Sequence, residues 1–382
     1  GSNTLKNLGS FIDNGSGGLS RARSSIIGPD GNIYVVSADT NSILRYDPTG
    51  EYINAFVQSG SGGLSSPGYL VFGPDSDLYV TSSGNGEVLR YDGTSGAFLN
   101  VVASGLSPGG LTFGSDGNLY VANQNTNEVL QYNMSTATLS SFVTAGSGGL
   151  SWPRRAVFGP DGNLYVASNG TSQVLEYNGQ TGAFMGVFAT NSASTGALWM
   201  QFGNDGRLYV ATNSTSSANT TILRFNATTG AFVDSFVPAR ASWSFNIGPN
   251  NVIYDSSAQN NNSGGFVDLI GPSSVAAFTV SLAGPVPGTT TVNYSTADGT
   301  ARAGRDYVAA SGTLTFAPGE TAKTILVSTI DDGVAGPTKA FSINLSNPTG
   351  GVITTGQGIG TILDDTKFYV VDGGASHSTY QY

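Results

Sequence analysis

The 382-residue chain carries a single histidine, His377, no cysteine and three tryptophans. Thiolate chemistry is excluded outright, and a Ser-His-Asp relay would need a histidine that lies in the terminal stretch. In the polar segment "GGASHSTY" that histidine reads as a solvated side chain. Aspartates recur more suggestively: Asp30, Asp75, Asp116, Asp161 and Asp205 sit in near-identical phrases and could make a ring of carboxylates. Each falls in a Gly/Asn-rich turn, however, where Asp is favoured because its side chain bonds its own backbone. A different group has binding chemistry. Trp152, Trp199 and Trp243 precede apolar runs at comparable places, Tyr69 has the same placement, and Arg23, Arg154 and Arg155 share these segments. Polar-tipped aromatics beside guanidinium groups and Asn-rich loops can hold a sugar or peptide segment. The plainer alternative is that they pack between structural elements.

The elements that must position them come from a repeat. "FGPDGNLYV" (Phe158–Val166) recurs as "IGPDGNIYV", "FGPDSDLYV", "FGSDGNLYV", "FGNDGRLYV" and "IGPNNVIYD". The glycines Gly28, Gly73, Gly114, Gly159, Gly203 and Gly248 are spaced by 45, 41, 45, 44 and 45 residues. Each unit reads as four short strands, A to D, with a tight A–B turn, and such periods indicate β-propeller blades. The D-to-A connections and B–C loops then share one face, around the mouth of the central channel. The N-terminal "LGSFIDNGSGGLS" matches the strand D ends of later units, so the chain begins with an orphan strand D. That predicts a sixth blade built from both ends of the repeat region. Seven blades are the alternative count.

The pattern resembles the NHL-repeat and virginiamycin B lyase-like propellers over residues 4–270. The lyase resemblance implies a catalytic His and a bound Mg²⁺, for which His377 is a poor substitute. From about Ser274 the composition shifts to alternating runs such as "TVNYST" and "TLTFAP", which read as a β-sandwich. "NYSTADGTARAGRDY", "GTLTFAPGETAKTI" and the closing "GTILDD" resemble the Calx-β family, which implies a seven-stranded Ig-like sandwich over 271–365. The same resemblance implies Ca²⁺ held by Asp306, Asp331, Asp332, Asp364 and Asp365, with Asp268 standing in for a missing early acidic motif. Several carboxylates suit a hard cation that takes six to eight oxygens. The stretch "DDGVAGPTKAF" departs from the family by lacking a further acidic residue. The tail 366–382 again resembles strands B and C of a blade. It is expected to return to the propeller and fill a gap in blade six, or else to start a next repeat unit.

Charged residues are only 10% of the chain and the net charge is −10. Nucleic acid is an unsuitable partner, because phosphate binding needs clustered Lys and Arg. No apolar run reaches the length of a membrane helix. The opening "GSNTL", without Met, reads as the start of an excised piece of a longer modular chain. The combined expectation is an all-β, non-catalytic binding or structural module, secreted or on a bacterial cell surface. It would serve adhesion, matrix contact or spacing, with protein or glycan partners and neighbouring modules of the same chain. The alternatives are a propeller lyase or hydrolase acting at the channel mouth, and a glycan-binding lectin-like module.

Overall fold

The structure is a computed structural model that describes residues 5–48, 50–190, 195–213, 220–238, 240–248, 252–258, 265–272, 275–284, 287–303, 306–329 and 337–362. Near residue 273 the chain divides into two compact units.

Strand B sets the pattern of the first unit. Ile33–Ser37, Leu78–Ser82, Leu119–Asn123 and Leu164–Ser168 are buried at all five positions. A strand packed between two neighbouring sheets must be apolar on both faces, hence the Ile/Leu-Tyr-Val runs. Each strand B is entered through a turn closed by Asp. Asp30 accepts the Asn32 N–H at 3.1 Å, and the Tyr34 hydroxyl donates to it at 3.0 Å. The Tyr-to-Asp bond recurs at Tyr79–Asp75, Tyr120–Asp116, Tyr165–Asp161 and Tyr209–Asp205, at 2.7 to 2.9 Å. Burial would raise the carboxyls of Asp30 and Asp116. Hydrogen bonds from Asn32 and Tyr34, and from Asn118 and Tyr120, outweigh it and hold both below the ordinary range. The recurrent aspartates are therefore committed to turns, on the face opposite the B–C loops.

Among the described residues this unit forms six four-stranded sheets. Their strands A are Ala22–Ile27, Pro67–Phe72, Pro108–Phe113, Pro153–Phe158, Thr195–Phe202 and Ala241–Ile247. Each strand A contacts the next, and the sixth contacts the first, so the sheets close into a ring. The sixth sheet joins both ends of the region: Ala241–Ile247, Ile253–Ala258 and Phe266–Pro272 are completed by Leu5–Ile12. Its register runs from Leu5↔Pro272 to Ile12↔Val267, which removes an exposed sheet edge. Strand C of blade six is thus Phe266–Pro272, and the gap that the tail was expected to fill is occupied. Residues 366–382 lie outside the described residues.

The second unit has six strands among the described residues: Val275–Ser281, Thr290–Asp298, Ser311–Phe316, Ala322–Ser328, Lys339–Thr349 and Gln357–Ile362. The first pairs with the fourth, and the third, second, fifth and sixth make the other sheet in that order. Alternate positions point inward, and Val292, Leu314, Phe316, Val327, Phe341 and Ile343 form the core around a Tyr307–Phe341 stack at 4.4 Å.

Candidate functional site

The innermost strand A of each blade lines the channel, and two successive positions decide its shape. Five residues before each repeat glycine stand Arg23, Gly68, Gly109, Arg154, Leu198 and Trp243. One residue further in stand Ser24, Tyr69, Gly110, Arg155, Trp199 and Ser244.

The inner layer is a plug. Tyr69 of blade two stacks on Trp199 of blade five at 4.8 Å, across the ring, and both are buried. The Arg155 guanidinium lies 4.1 Å from the Trp199 ring and donates to the Leu111 carbonyl. The Trp199 indole N–H donates to the Phe245 carbonyl at 2.6 Å, which fixes the ring to blade six. Gly110 makes room for this arrangement, because a Cβ there would stand 2.6 Å from Arg155 Cδ. Burial, opposed by Tyr69, pulls the Arg155 guanidinium down to about 10, so it remains charged at neutral pH.

The outer layer leaves a cavity of about 450 Å³, lined by Arg23, Gly68, Tyr69, Asn85, Gln124, Asn125 and Arg154 among others. Arg23 stacks over Trp243 at 4.7 Å and Arg154 over Trp152 at 5.1 Å. Trp152 stands at the rim with half of its surface exposed (49%). Its φ of 50° is left-handed, a costly setting for an aromatic residue. It is held by Asn127, which accepts the Trp152 backbone N–H at 2.7 Å, and by Gln124, which accepts the indole N–H at 2.9 Å. Burial, reinforced by the nearby charges of Arg21 and Arg154 and opposed by Tyr69 and Asp39, lowers the Arg23 guanidinium from its ordinary value. The Nε atoms of Arg23, Arg154 and Arg155 are buried without a hydrogen-bond partner among the described residues.

All seven residues singled out for the mouth therefore come together, though in two roles. Tyr69, Trp199 and Arg155 close the channel. Arg23 and Arg154 line the cavity, Trp152 stands beside it against Gln124 and Arg154, and Trp243 is half-buried beneath Arg23. Missed from sequence were the amides Asn85, Gln124 and Asn125 and the glycines that create the space. The signal available was the column of residues five before the repeat glycine, which changes from Arg to Gly and back.

The aspartate set expected for Ca²⁺ is not assembled among the described residues, where no three His, Cys, Asp or Glu side chains form a metal-binding group. Asp268 belongs to the propeller: its strand pairs with Leu5–Ile12, so it never enters the sandwich. There it is buried, paired with Arg240 and bonded by the Ser257 hydroxyl at 2.7 Å. Asp306 does lie in the second unit, but the Lys339 ammonium sits 2.6 Å from it and the Arg302 N–H bonds it at 2.8 Å. Asp331, Asp332, Asp364, Asp365 and His377 lie outside the described residues.

Residues 272–366 match the Calx-beta domain family. They are similar to sodium/calcium exchanger 1 of Canis lupus familiaris, 42% identical over 73 residues, which is 19% of this chain and 8% of that protein. The sodium/calcium exchanger Calx of Drosophila melanogaster is 43% identical over 76 residues, again 19% of this chain and 8% of that protein. The chain thus spans less than a tenth of the curated relatives it matches. The propeller is similar in fold to a gluconolactonase from Xanthomonas campestris, with TM-score 0.53 and 13% identity over 69% of this chain and 89% of that one. A catalytically inactive virginiamycin B lyase from Staphylococcus aureus with quinupristin gives TM-score 0.50 and 15% identity, covering 69% and 88%. At these identities the likeness is one of fold. Residues 272–366 match the Calx-beta domain, and the residues before them form a β-propeller.

Proposed function

We propose that the chain is a non-catalytic binding module of a larger surface or secreted protein, in which the propeller mouth holds the ligand. Its role is adhesion, matrix contact or spacing beside the Calx-beta domain. The observation that carries this reading is the 450 Å³ cavity with the half-buried Arg23 and Arg154 in its wall, each with a buried Nε left unbonded among the described residues. Guanidinium and amide groups hold charge and hydroxyls, but they do not exchange protons near neutral pH as a general acid or base must. The plug of Tyr69, Trp199 and Arg155 supports a shallow docking site over a through-channel. An array of glycans and peptides probed with the wild-type chain and an Arg154→Gln variant tests the reading. Ligands retained by the wild type and lost by the variant support it. Turnover of quinupristin or of a lactone by the wild type would favour the enzyme alternative, because proteins of similar fold carry those names.

For the Calx-beta domain the proposal is weak Ca²⁺ binding at most. Its relatives are named as sodium/calcium exchangers, which supports an interest in Ca²⁺. Lys339, however, already supplies the positive charge beside Asp306 that a cation would. The expected result is no rise in melting midpoint below about millimolar Ca²⁺, and a rise in the micromolar range would refute it.

A further inference from the structure

We infer that the mouth cavity is a site for an acidic saccharide, with Arg23 and Arg154 on its carboxylate and the amides of Asn85, Gln124 and Asn125 on its hydroxyls. The inference rests on the reading of the propeller as a ligand-binding module and names the ligand's chemistry.

Charge is the first argument. Apart from Arg155, which is spent on the plug, most arginines of this acidic chain have carboxylates: Arg21 with Asp39, Arg90 with Asp75 and Asp77, Arg224 with Asp234, Arg240 with Asp268. Arg23 and Arg154 have none among the described residues, and each leaves a buried Nε unbonded at the same cavity. Glu87, the acid nearest in sequence to the lining residues, is engaged by Asn85 Nδ2 at 2.6 Å and does not line the cavity. Like charges held at one half-buried wall cost free energy, and an anion with planar, forked geometry offsets it best.

Space is the second. Blades two and three carry Gly68 and Gly109 in the layer where blades one and four carry arginine. A Cβ on Gly68 would stand 3.0 Å from Thr81 Oγ1, and one on Gly109 2.7 Å from the Arg154 carbonyl. The glycines let strand A pack close against its neighbours, and Gly68 leaves its part of the cavity wall without a side chain.

The third argument separates a saccharide from a bare anion. Asn85 spends its N–H donors on Gly63 and Glu87, so its Oδ1 is left to accept. Gln124 gives its Oε1 to the Trp152 indole, so its Nε2 is left to donate. A site offering both an acceptor and a donor matches the several hydroxyls of a sugar, each of which is both, better than inorganic phosphate, whose ionised oxygens only accept. Trp152, half exposed beside the cavity with Arg154 over its ring, adds an aromatic surface suited to the apolar C–H face of a sugar.

The test is calorimetric titration of the whole chain with tetragalacturonate, its methyl ester, sialyllactose and inorganic phosphate, with tryptophan emission followed in parallel. We expect one of the two acidic saccharides to bind, and which one does distinguishes a uronate from a sialate source. Arg154→Gln and Arg23→Gln should each weaken that binding by about tenfold or more. The methyl ester should bind at least about tenfold more weakly than the acid. Gln124→Ala, outside the ion-pairing set, should weaken binding without changing its dependence on salt. Phosphate binding as tight as the saccharide would overturn the saccharide assignment, as would equal binding of acid and ester. Absence of binding by both acidic saccharides would overturn it as well. If a neutral glycan or a peptide from the array still binds in an Arg154-dependent way, the inference falls and the binding-module reading stands.

Discussion

Blades four and six share one topology and solve the same packing problem in opposite ways. In blade four the central residue of strand B is Val166, fully buried among Tyr120, Val129, Leu164 and Leu175. The matching residue of blade six is Asp255, also fully buried, with Ser256 and Ser257 after it. Ser242 donates to one carboxylate oxygen of Asp255, and the other has no partner among the described residues. Asp268 and Arg240 lie beside it. A blade made from one continuous segment is held by apolar burial, which is cheap to form from neighbours in sequence. The blade that joins the two ends uses buried polar groups, which tolerate only partners placed correctly. The contrast suggests that polar residues in blade six specify the closing register more than they stabilise it.

Exchanging the two solutions gives the largest expected effect. Val166→Asp puts an unpartnered carboxyl into an apolar interface and should cost about 3 to 5 kcal/mol, measured by denaturant unfolding. The reverse change, Asp255→Val, should cost nothing or stabilise at pH 8. Comparable losses from both would erase the distinction between the blades.

The next effect is on pH. Burial pushes the Asp255 carboxyl up to about 8, with Asp268 adding to it and Ser242 and Arg240 opposing. The folded state therefore keeps a proton that the unfolded chain has released above the ordinary carboxylate range. Stability should fall as pH rises from about 4 to about 8, by at most about 1.4 kcal/mol per unit, and level off above. Asp255→Asn should flatten that slope, while Val166→Ala, which lowers stability without a titratable group, should leave it. A slope unchanged by Asp255→Asn would place the pH dependence elsewhere.

How far sequence reached follows the same division. The regular blades were legible because strand B repeats an Ile/Leu-Tyr-Val run at a fixed distance from a turn glycine, and both faces of that run must be buried. The orphan N-terminal strand was legible from its match to the "SGSGGLS" ends. Asp268 was not placed, because no local pattern says that its strand pairs with residues some 260 positions earlier. Its distance from Phe278 suited the sandwich equally well. At the mouth the aromatic and basic residues could be read, but the cavity between them could not. Gly68, Gly84 and Gly86 line it, and in "SPG" and "SGNG" segments such glycines look like ordinary turn residues.

The smallest effect tests whether the regular blades gain from a polar tie of their own. Tyr46, Tyr91 and Tyr177 end strand C of blades one, two and four, and each hydroxyl donates to the Ser carbonyl of a Ser-Gly-Gly turn at 2.7 to 2.8 Å. The turn belongs to the preceding connection, so the bond ties each blade to the segment that leads into it from the blade before. Blade five has Phe225 and blade six Ile270 at this place, paired with Leu208 and Ile253. Removing one hydroxyl leaves a carbonyl that water can reach only in part, so Tyr177→Phe should cost about 1 kcal/mol. Phe225→Tyr should gain nothing, because blade five lacks a Ser-Gly-Gly turn to accept the bond. A gain there equal to the loss at Tyr177 would show that the hydroxyl acts through solvent, and that the turn plays no part in locking the blades together.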